Sequence, residues 1–365
     1  MTGDCPDGRF RLVCPQYYVR TSSRAREKPG WAIATPVNEP ATLTYGPPRP
    51  IAVVAGTINN FDFDHGNVKS SGGLPGREVL RLEAGGRTVD FVWRSNRVQL
   101  RRLVDAGFLG TSSFVNFSFA AWPDASDVEL TNFADSVASL CSFVVEQHTG
   151  VPILSFLDAE GRVVCRTLRA SVQSKYRDEC ALRVIHADTG LPQLFRQCFD
   201  NHCCMLQTDL WRRLGPLFAA VLDPPYLEQK YATLMMAVEL LIRSSLIEAG
   251  HLDLSEAESK TLPKLIGMAR GLLRWDVPYH YTEEDRYRTI RNAVDHGGAL
   301  PHDPSVVYAD FAKWKLFLLR RVFMRLGYTG QVASPQKGWA SSSPVEEFSE
   351  EHNSFGAEQT RDGVT

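Results

Sequence analysis

No cysteine follows Cys204, although the chain of 365 residues holds eight. So skewed a count excludes a disulfide framework spread over the whole chain, and it favours two separately built parts. Long apolar runs are also lacking: none reaches the roughly 18 residues of a membrane span. The opening MTGDCPDGRFRLVCPQ has no charged n-region followed by an apolar core, so no secretory leader is expected there. The expectation is a cytoplasmic protein, away from membranes, whose thiols stay reduced. Charge of one sign is missing too, the formal net charge being −2, so any surface for a polyanion must be local. There is no P-loop, G-x-G-x-x-G or G-x-S-x-G stretch in a usable strand–turn–helix setting, and no internal repeat. No cofactor and no metal are expected.

What is present suffices for a substantial core, with 44% apolar residues and 10% aromatics. Residues 1–50 are rich in Pro, Arg and Gly and read as mostly irregular. Residues 51–205 read as an α+β domain with a largely antiparallel sheet. IAVVAGTI is a short β-branched run, and EVLRLEAGGRTVDFVW breaks at Gly85–Gly86 between two alternating arms, a two-residue hairpin. SFVNFSFAAW puts Phe117 and Phe119 at period two. Asp127–Phe143 switches to helical spacing with Leu130, Phe133, Val137 and Leu140 on one face. A second hairpin turns around Asp158–Gly161. Residues 190–222 read as helical up to Asp223–Pro224–Pro225, where a double proline ends one helix and can begin another.

Residues 206–330 read as an all-α four-helix bundle. Tyr226–Ala249 is a long helix closed by Gly250, Ser255–Leu273 a second, Thr282–Asp295 a third, and Ser305–Leu326 a fourth, opened by Asp303–Pro304 and ended by Gly327. Residues 331–365 are polar, Ser- and Glu-rich, and read as a disordered tail.

The third of these helices carries the chemistry. Thr282–Gly298 reads TEEDRYRTIRNAVDHGG, with Thr282 as N-cap and Glu283, Glu284 and Asp285 at the positive end of its dipole. Arg291–Asn292 is followed by His296, just where Gly297–Gly298 must stop the helix. A guanidinium holds a phosphate by a charge-assisted fork, and an imidazole moves a proton near neutral pH. On a rigid helix the two side chains stand about 140° apart, whereas a helix that ends at His296 frees the imidazole to swing. The chain has three pairs that match R-x(4–6)-H. Pro278 separates Arg274 from His280, and Arg196 with His202 precedes the bundle, which leaves Arg291–His296. The plain alternative is an arginine paired with Asp295 or Glu284 and a histidine capping the helix end.

R-N-x-x-x-H-G resembles the signature of the HEPN superfamily of RNases, and within it the ApeA-like group of anti-phage proteins. The resemblance covers about Tyr226–Gly327, through YLEQKYATLMMAVELLIRSS and RNAVDHG; the β-rich region before it looks, more loosely, like that group's N-terminal domain. It implies a HEPN-like bundle acting as a homodimer, in which two motifs face one another across one cleft. Carried over by position, Arg291 would bind the scissile phosphate, His296 would transfer protons at the 2′-hydroxyl or the leaving 5′-oxygen, and Asn292 would orient either. The implied activity is metal-independent endoribonuclease cleavage of RNA, in anti-phage or toxin-like defence, leaving a 2′,3′-cyclic phosphate. An activating ligand or phage component would act at the N-terminal domain. The rival is a non-catalytic HEPN-like module for dimerisation or ligand binding.

Further residues have two readings. Arg286 and Arg288 share the motif's helix, and Lys313, Lys315, Arg320, Arg321 and Arg325 stud the last one, which has no acidic residue after Asp310. Such cations either track RNA phosphates or make an ordinary solvated face. Glu239 either reaches toward the active arginine or takes Arg243 as its i,i+4 partner, the preferred reading. Cys198, His202, Cys203 and Cys204, with Cys180 and His186, fall short of a zinc pattern, because adjacent Cys203 and Cys204 do not easily share one ion. NNFDFDHGN fails as a calcium loop.

Overall fold

The computed structural model describes residues 2–4, 11–13, 17–20, 33–36, 41–45, 48–61, 79–105, 114–169, 190–278, 303–333 and 342–344. Contacts divide the chain into two units, Met1–Cys141 with His148–Arg177, and Ser142–Gln147 with Asp178–Thr365.

The first unit carries the strands β1 (Thr2–Asp4), β2 (Arg11–Val13), β3 (Tyr17–Arg20), β4 (Ile33–Pro36), β5 (Ala41–Thr44) and β6 (Val53–Asn59). There follow β7 (Val79–Ala84), β8 (Arg87–Trp93), helix α1 (Arg97–Asp105), β9 (Val115–Ala120), helix α2 (Asp127–Val145), β10 (Gly150–Leu157) and β11 (Val163–Leu168). Nine strands make one sheet, in the order β1-β2-β5-β11-β10-β6-β9-β8-β7, with each neighbouring pair antiparallel. The pair β3–β4 stands apart from it.

Period-two alternation builds the buried face. Register lines up Phe156, Val54, Phe119, Val89 and Leu82 in one cross-strand row, and Leu154, Gly56, Phe117, Phe91 and Leu80 in the next. All of these residues are buried. Helix α2 meets that face through Phe133, whose ring lies 4.8 Å from that of Phe119, with Leu130, Val137 and Leu140 buried beside it. A reciprocal cap starts the helix: Ser126 N donates to Glu129 Oε2 at 2.8 Å, and Glu129 N to Ser126 Oγ at 3.2 Å. By length and composition alone α2 is a candidate membrane span, but half of that window is buried inside the fold.

Both hairpins sit where the turn residues place them. Gly85 and Gly86 have φ of 56° and 68°, the left-handed pair that a tight turn between twisted strands requires. At the β10–β11 turn, Asp158 Oδ1 accepts from the backbone N–H groups of Glu160 and Arg162, and Oδ2 accepts from the Arg162 and Arg49 side chains. Burial alone would raise this carboxyl; the hydrogen bonds outweigh it and hold the group down to about 2.

The second unit is helical: α3 (Leu191–Met205), α4 (Asp209–Ala220), α5 (Leu227–Glu248), α6 (Leu254–Ser259), α7 (Leu262–Gly271) and α8 (Pro304–Leu326), with a small β12–β13 pair (Gln331–Ala333 and Ser342–Pro344). The division by contacts thus places α3 and the last turn of α2 with the helices. The expected helix over Ser255–Leu273 is a correction: it is two helices, with Lys260 and Thr261 extended between them. Pro263 lacks the N–H that a continuous helix would need and is accommodated only in a first turn. Helix α8 is buried almost all round, from Val307 and Phe311 through the unbroken run Trp314–Leu319 to Val322, Phe323 and Leu326. Such a helix is the centre of its unit. Its ends follow the sequence, Asp303 capping the N-terminus and Gly327 closing it at φ 86°. The third helix expected for a four-helix bundle, Thr282–Asp295, lies outside the described residues.

The sheet face leaves no room at Gly56. A Cβ there would stand 2.7 Å from the Phe117 ring and 2.9 Å from the Ile153 carbonyl oxygen. Both are fixed, one in the core and one in the ladder. Gly56→Ala should therefore lower unfolding free energy by about 2 kcal/mol or more through overpacking. A urea midpoint shift equivalent to less than about 0.5 kcal/mol would show that the two central rows are looser than this packing.

Candidate functional site

Arg286, Arg288, Arg291, Asn292 and His296 lie outside the described residues, as do Glu284 and Asp295. The described residues place the chain that leads toward the motif, the helix that follows it, and the cations of that helix.

Just beyond helix α7, Arg274 lies in the left-handed region at φ 53°, and Trp275 N donates to the Ala269 carbonyl at 3.0 Å. The Arg270 side chain reaches forward to the Val277 carbonyl at 3.0 Å. These bonds fix Trp275, whose ring meets Phe317 of α8 edge-on at 6.0 Å. The Arg321 guanidinium carbon lies 4.8 Å from the centre of the Trp275 ring and 5.7 Å from that of Phe317.

The cations of α8 do not share one exposed row. Lys313 is exposed. Lys315 faces inward: its Nζ lies 2.7 Å from Glu146 Oε2, with side chains only 10% and 5% exposed. Glu146 follows the last residue of α2 at φ 48°, a conformation usually left to glycine or asparagine. Lys315 is thus a buried ion-pair partner, which corrects its reading as an RNA contact. Arg325 is also engaged, donating to Ser245 Oγ at 2.7 Å and to Ser244 Oγ at 3.0 Å while pairing with Glu248. Arg320 and Arg321 differ from these. Both are half-buried, and each has a buried Nε without a hydrogen-bond partner. Burial lowers the Arg320 guanidinium below its usual range. It also lowers Arg321, to about 10, with the neighbouring Arg320 charge adding to the effect and Asp276 opposing it.

Glu239 accepts from Arg243 Nε at 3.2 Å, and Arg243 also donates to the Ala257 and Lys260 carbonyls at 2.6 and 3.1 Å. The pair closes the end of α6, the i,i+4 arrangement preferred from the sequence.

The Arg196–His202 spacing brings nothing together: Arg196 is exposed on α3 and His202 fully buried. His202 Nδ1 accepts from Trp211 Nε1 at 3.4 Å, which assigns the proton to Nε2, an atom with no partner. The ring stands edge-on to Phe143 at 5.8 Å, and burial pushes the imidazole down to about 4. Burial likewise pushes the Cys198 thiol up to about 12, so it is chemically quiet. Among the described residues no three of His, Cys, Asp and Glu are grouped to hold a metal ion. Cys180 and His186 lie outside them.

No protein-family model matches the chain, and neither the curated proteins nor the solved structures contain a match to it.

Two stability measurements check this account. Lys315→Ala leaves Glu146 buried without its cation and should cost about 3–5 kcal/mol, whereas Lys315→Met with Glu146→Gln should recover much of that. Equal stability of Lys315→Ala and wild type in urea would show the pair to be solvated. His202 titrates near 6.5 when unfolded and near 4 when folded. The unfolded chain binds the extra proton in that window, so stability is full above pH about 6.5 and falls as pH drops toward 4, by about 3 kcal/mol at most. His202→Gln should flatten this slope; a slope unchanged by the substitution would place its origin elsewhere.

Proposed function

We propose that the chain is a metal-independent endoribonuclease of HEPN type, a cytoplasmic homodimer serving anti-phage or toxin-like defence. The observation that carries the reading is the run Arg291–Asn292–Ala293–Val294–Asp295–His296–Gly297. A helical C-terminal region supports it, since it supplies the long α5 and α8 on either side of the motif in the chain. So does the presence on α8 of two guanidiniums that, among the described residues, no carboxylate neutralises by contact.

RNA brings its own nucleophile. The 2′-oxygen attacks phosphorus as its proton is taken up, the P–O5′ bond breaks, and the departing 5′-oxygen receives a proton. The products are a 2′,3′-cyclic phosphate and a 5′-hydroxyl. His296 handles one of these protons, and its copy in the second subunit suits the other. Arg291 stabilises the charge that grows on the non-bridging oxygens, and Asn292 orients the phosphate or the imidazole. The first unit receives the activating ligand or phage component.

Purified protein should cleave RNA in EDTA and leave 2′,3′-cyclic ends. Arg291→Ala and His296→Ala should each lower the rate by about 100-fold or more with the melting temperature unchanged. Cleavage that survives both substitutions removes the motif from the mechanism. A folded dimer that cleaves no RNA leaves the bundle as a binding or dimerisation module.

A further inference from the structure

Helix α8 carries five basic side chains over Lys313–Arg325, and the protein treats them differently. Lys315 is sealed against Glu146, and Arg325 is spent on Ser244, Ser245 and Glu248. Arg320 and Arg321 are consecutive and half-buried. Among the described residues neither guanidinium has a hydrogen bond or an ion pair, and Asp276 acts on both only through space.

This arrangement is costly for folding. Two like charges are adjacent on one helix, each loses water to burial, and each keeps a buried N–H unanswered. The rings of Trp275 and Phe317 offset part of that cost for Arg321 through a cation–π contact, but they bond none of its N–H groups. The ring contact has another consequence. The contact with Trp275, 4.8 Å from ring centre to guanidinium carbon, restrains the Arg321 fork in advance of any ligand. Trp275 is itself anchored by its backbone bond to Ala269 and its contact with Phe317. The Arg320 charge acts on Arg321 through space, and two guanidiniums within that reach suit the oxygens of a tetrahedral anion better than a lone carboxylate.

We propose that Arg320 and Arg321, set on Trp275, form a binding site for one phosphate group, carried by an RNA strand. The inference deepens the ribonuclease reading by replacing a track of cations along α8 with one discrete phosphate contact. It is independent of cleavage by Arg291 and His296. The ligand class is a phosphoryl oxyanion, from either a terminal phosphomonoester or an internal phosphodiester.

The test uses the full chain and reads melting temperature against inorganic phosphate, with chloride at matched ionic strength as reference. Oligodeoxynucleotides with and without a 5′-phosphate serve as uncleavable strands. Wild type and Arg291→Ala should both show a rise with phosphate that chloride does not give. The double variant Arg320→Gln, Arg321→Met should lose the rise, with affinity down at least tenfold. In phosphate-free buffer it should melt no lower than wild type, since an unneutralised pair has been removed. If that variant does not fold, Arg320→Lys with Arg321→Lys keeps the charge, lacks the planar fork, and should still weaken phosphate binding. A preference for the 5′-phosphorylated strand assigns the site to a terminal phosphate; equal binding of both strands assigns it to the internal backbone. The proposal is overturned if chloride and phosphate act alike on wild type, or if the double variant keeps the phosphate response. Loss of cleavage in Arg291→Ala alongside either result leaves the ribonuclease reading standing. A phosphate site in a protein that cuts no RNA removes that reading alone.

Discussion

A cation carried on a helix buried almost all round must be answered, and the answers given along α8 shape the helical unit. Burying one large apolar side chain contributes about 1.5–3 kcal/mol. Removing one ammonium from water costs several kcal/mol. Trp314, Phe317, Leu318 and Val322 favour the central position of α8, and Lys315, in the middle of them, works against it. The opposing cost is limited by Glu146, held in a left-handed conformation that glycine would adopt with less strain. Charge and strain are thus concentrated at one point, and the rest of the helix packs as hydrocarbon. At its C-terminal end the answer is a network, with Arg325 joined to α5 through two serines and a glutamate.

Much of the sheet was legible because its signals are local. Alternation with period two, the Gly85–Gly86 turn and the Asp158–Gly161 turn each follow from a few neighbouring residues, and α2 follows from Leu130, Phe133, Val137 and Leu140. The ends of α8 were legible for the same reason, in Asp303–Pro304 and Gly327. The strand order was not. That β6 lies between β10 and β9 depends on pairings between distant stretches, which no turn residue announces. The break between α6 and α7 was visible in Pro263, but the apolar spacing on both sides obscured it. Lys315 was misread because a lysine counts as exterior by default. The correcting signal was present, since Phe311 and Leu319 flank it at four residues and place it on the apolar stripe.

His202 shows the opposite case, a residue of catalytic type that the fold has made inert. The sequence offered it twice, in an arginine–histidine spacing and in a weak zinc pattern. The ring is enclosed by Phe143 and Trp211, its one satisfied nitrogen accepts from an indole, and burial keeps it neutral. Spacing along one helix did not reveal this, because the enclosing residues come from α2 and α4. What remains is a buried donor whose proton equilibrium registers in stability.

Arg320 and Arg321, which have no ion pair among the described residues, follow the same electrostatics with a different outcome. A guanidinium can be retained at half-burial for its stem, for a partner within the chain, or for a partner from outside. The cation–π contact with the Trp275 and Phe317 rings accounts for the place of the Arg321 guanidinium but bonds none of its N–H groups, and among the described residues Asp276 makes no bond to either arginine. For the proposed ribonuclease, an outside phosphate would also supply something the motif lacks. One arginine and one histidine provide chemistry at the scissile bond but little that fixes where along a strand that bond sits. A second phosphate contact, equally strong before and during the reaction, would set that register and act on substrate binding, whereas Arg291 would act on the barrier. Placing such a positioning charge on α8, the most buried helix among the described residues of the unit, would make the register rigid, and the desolvation of Arg320 and Arg321 would be the thermodynamic counterpart of that rigidity.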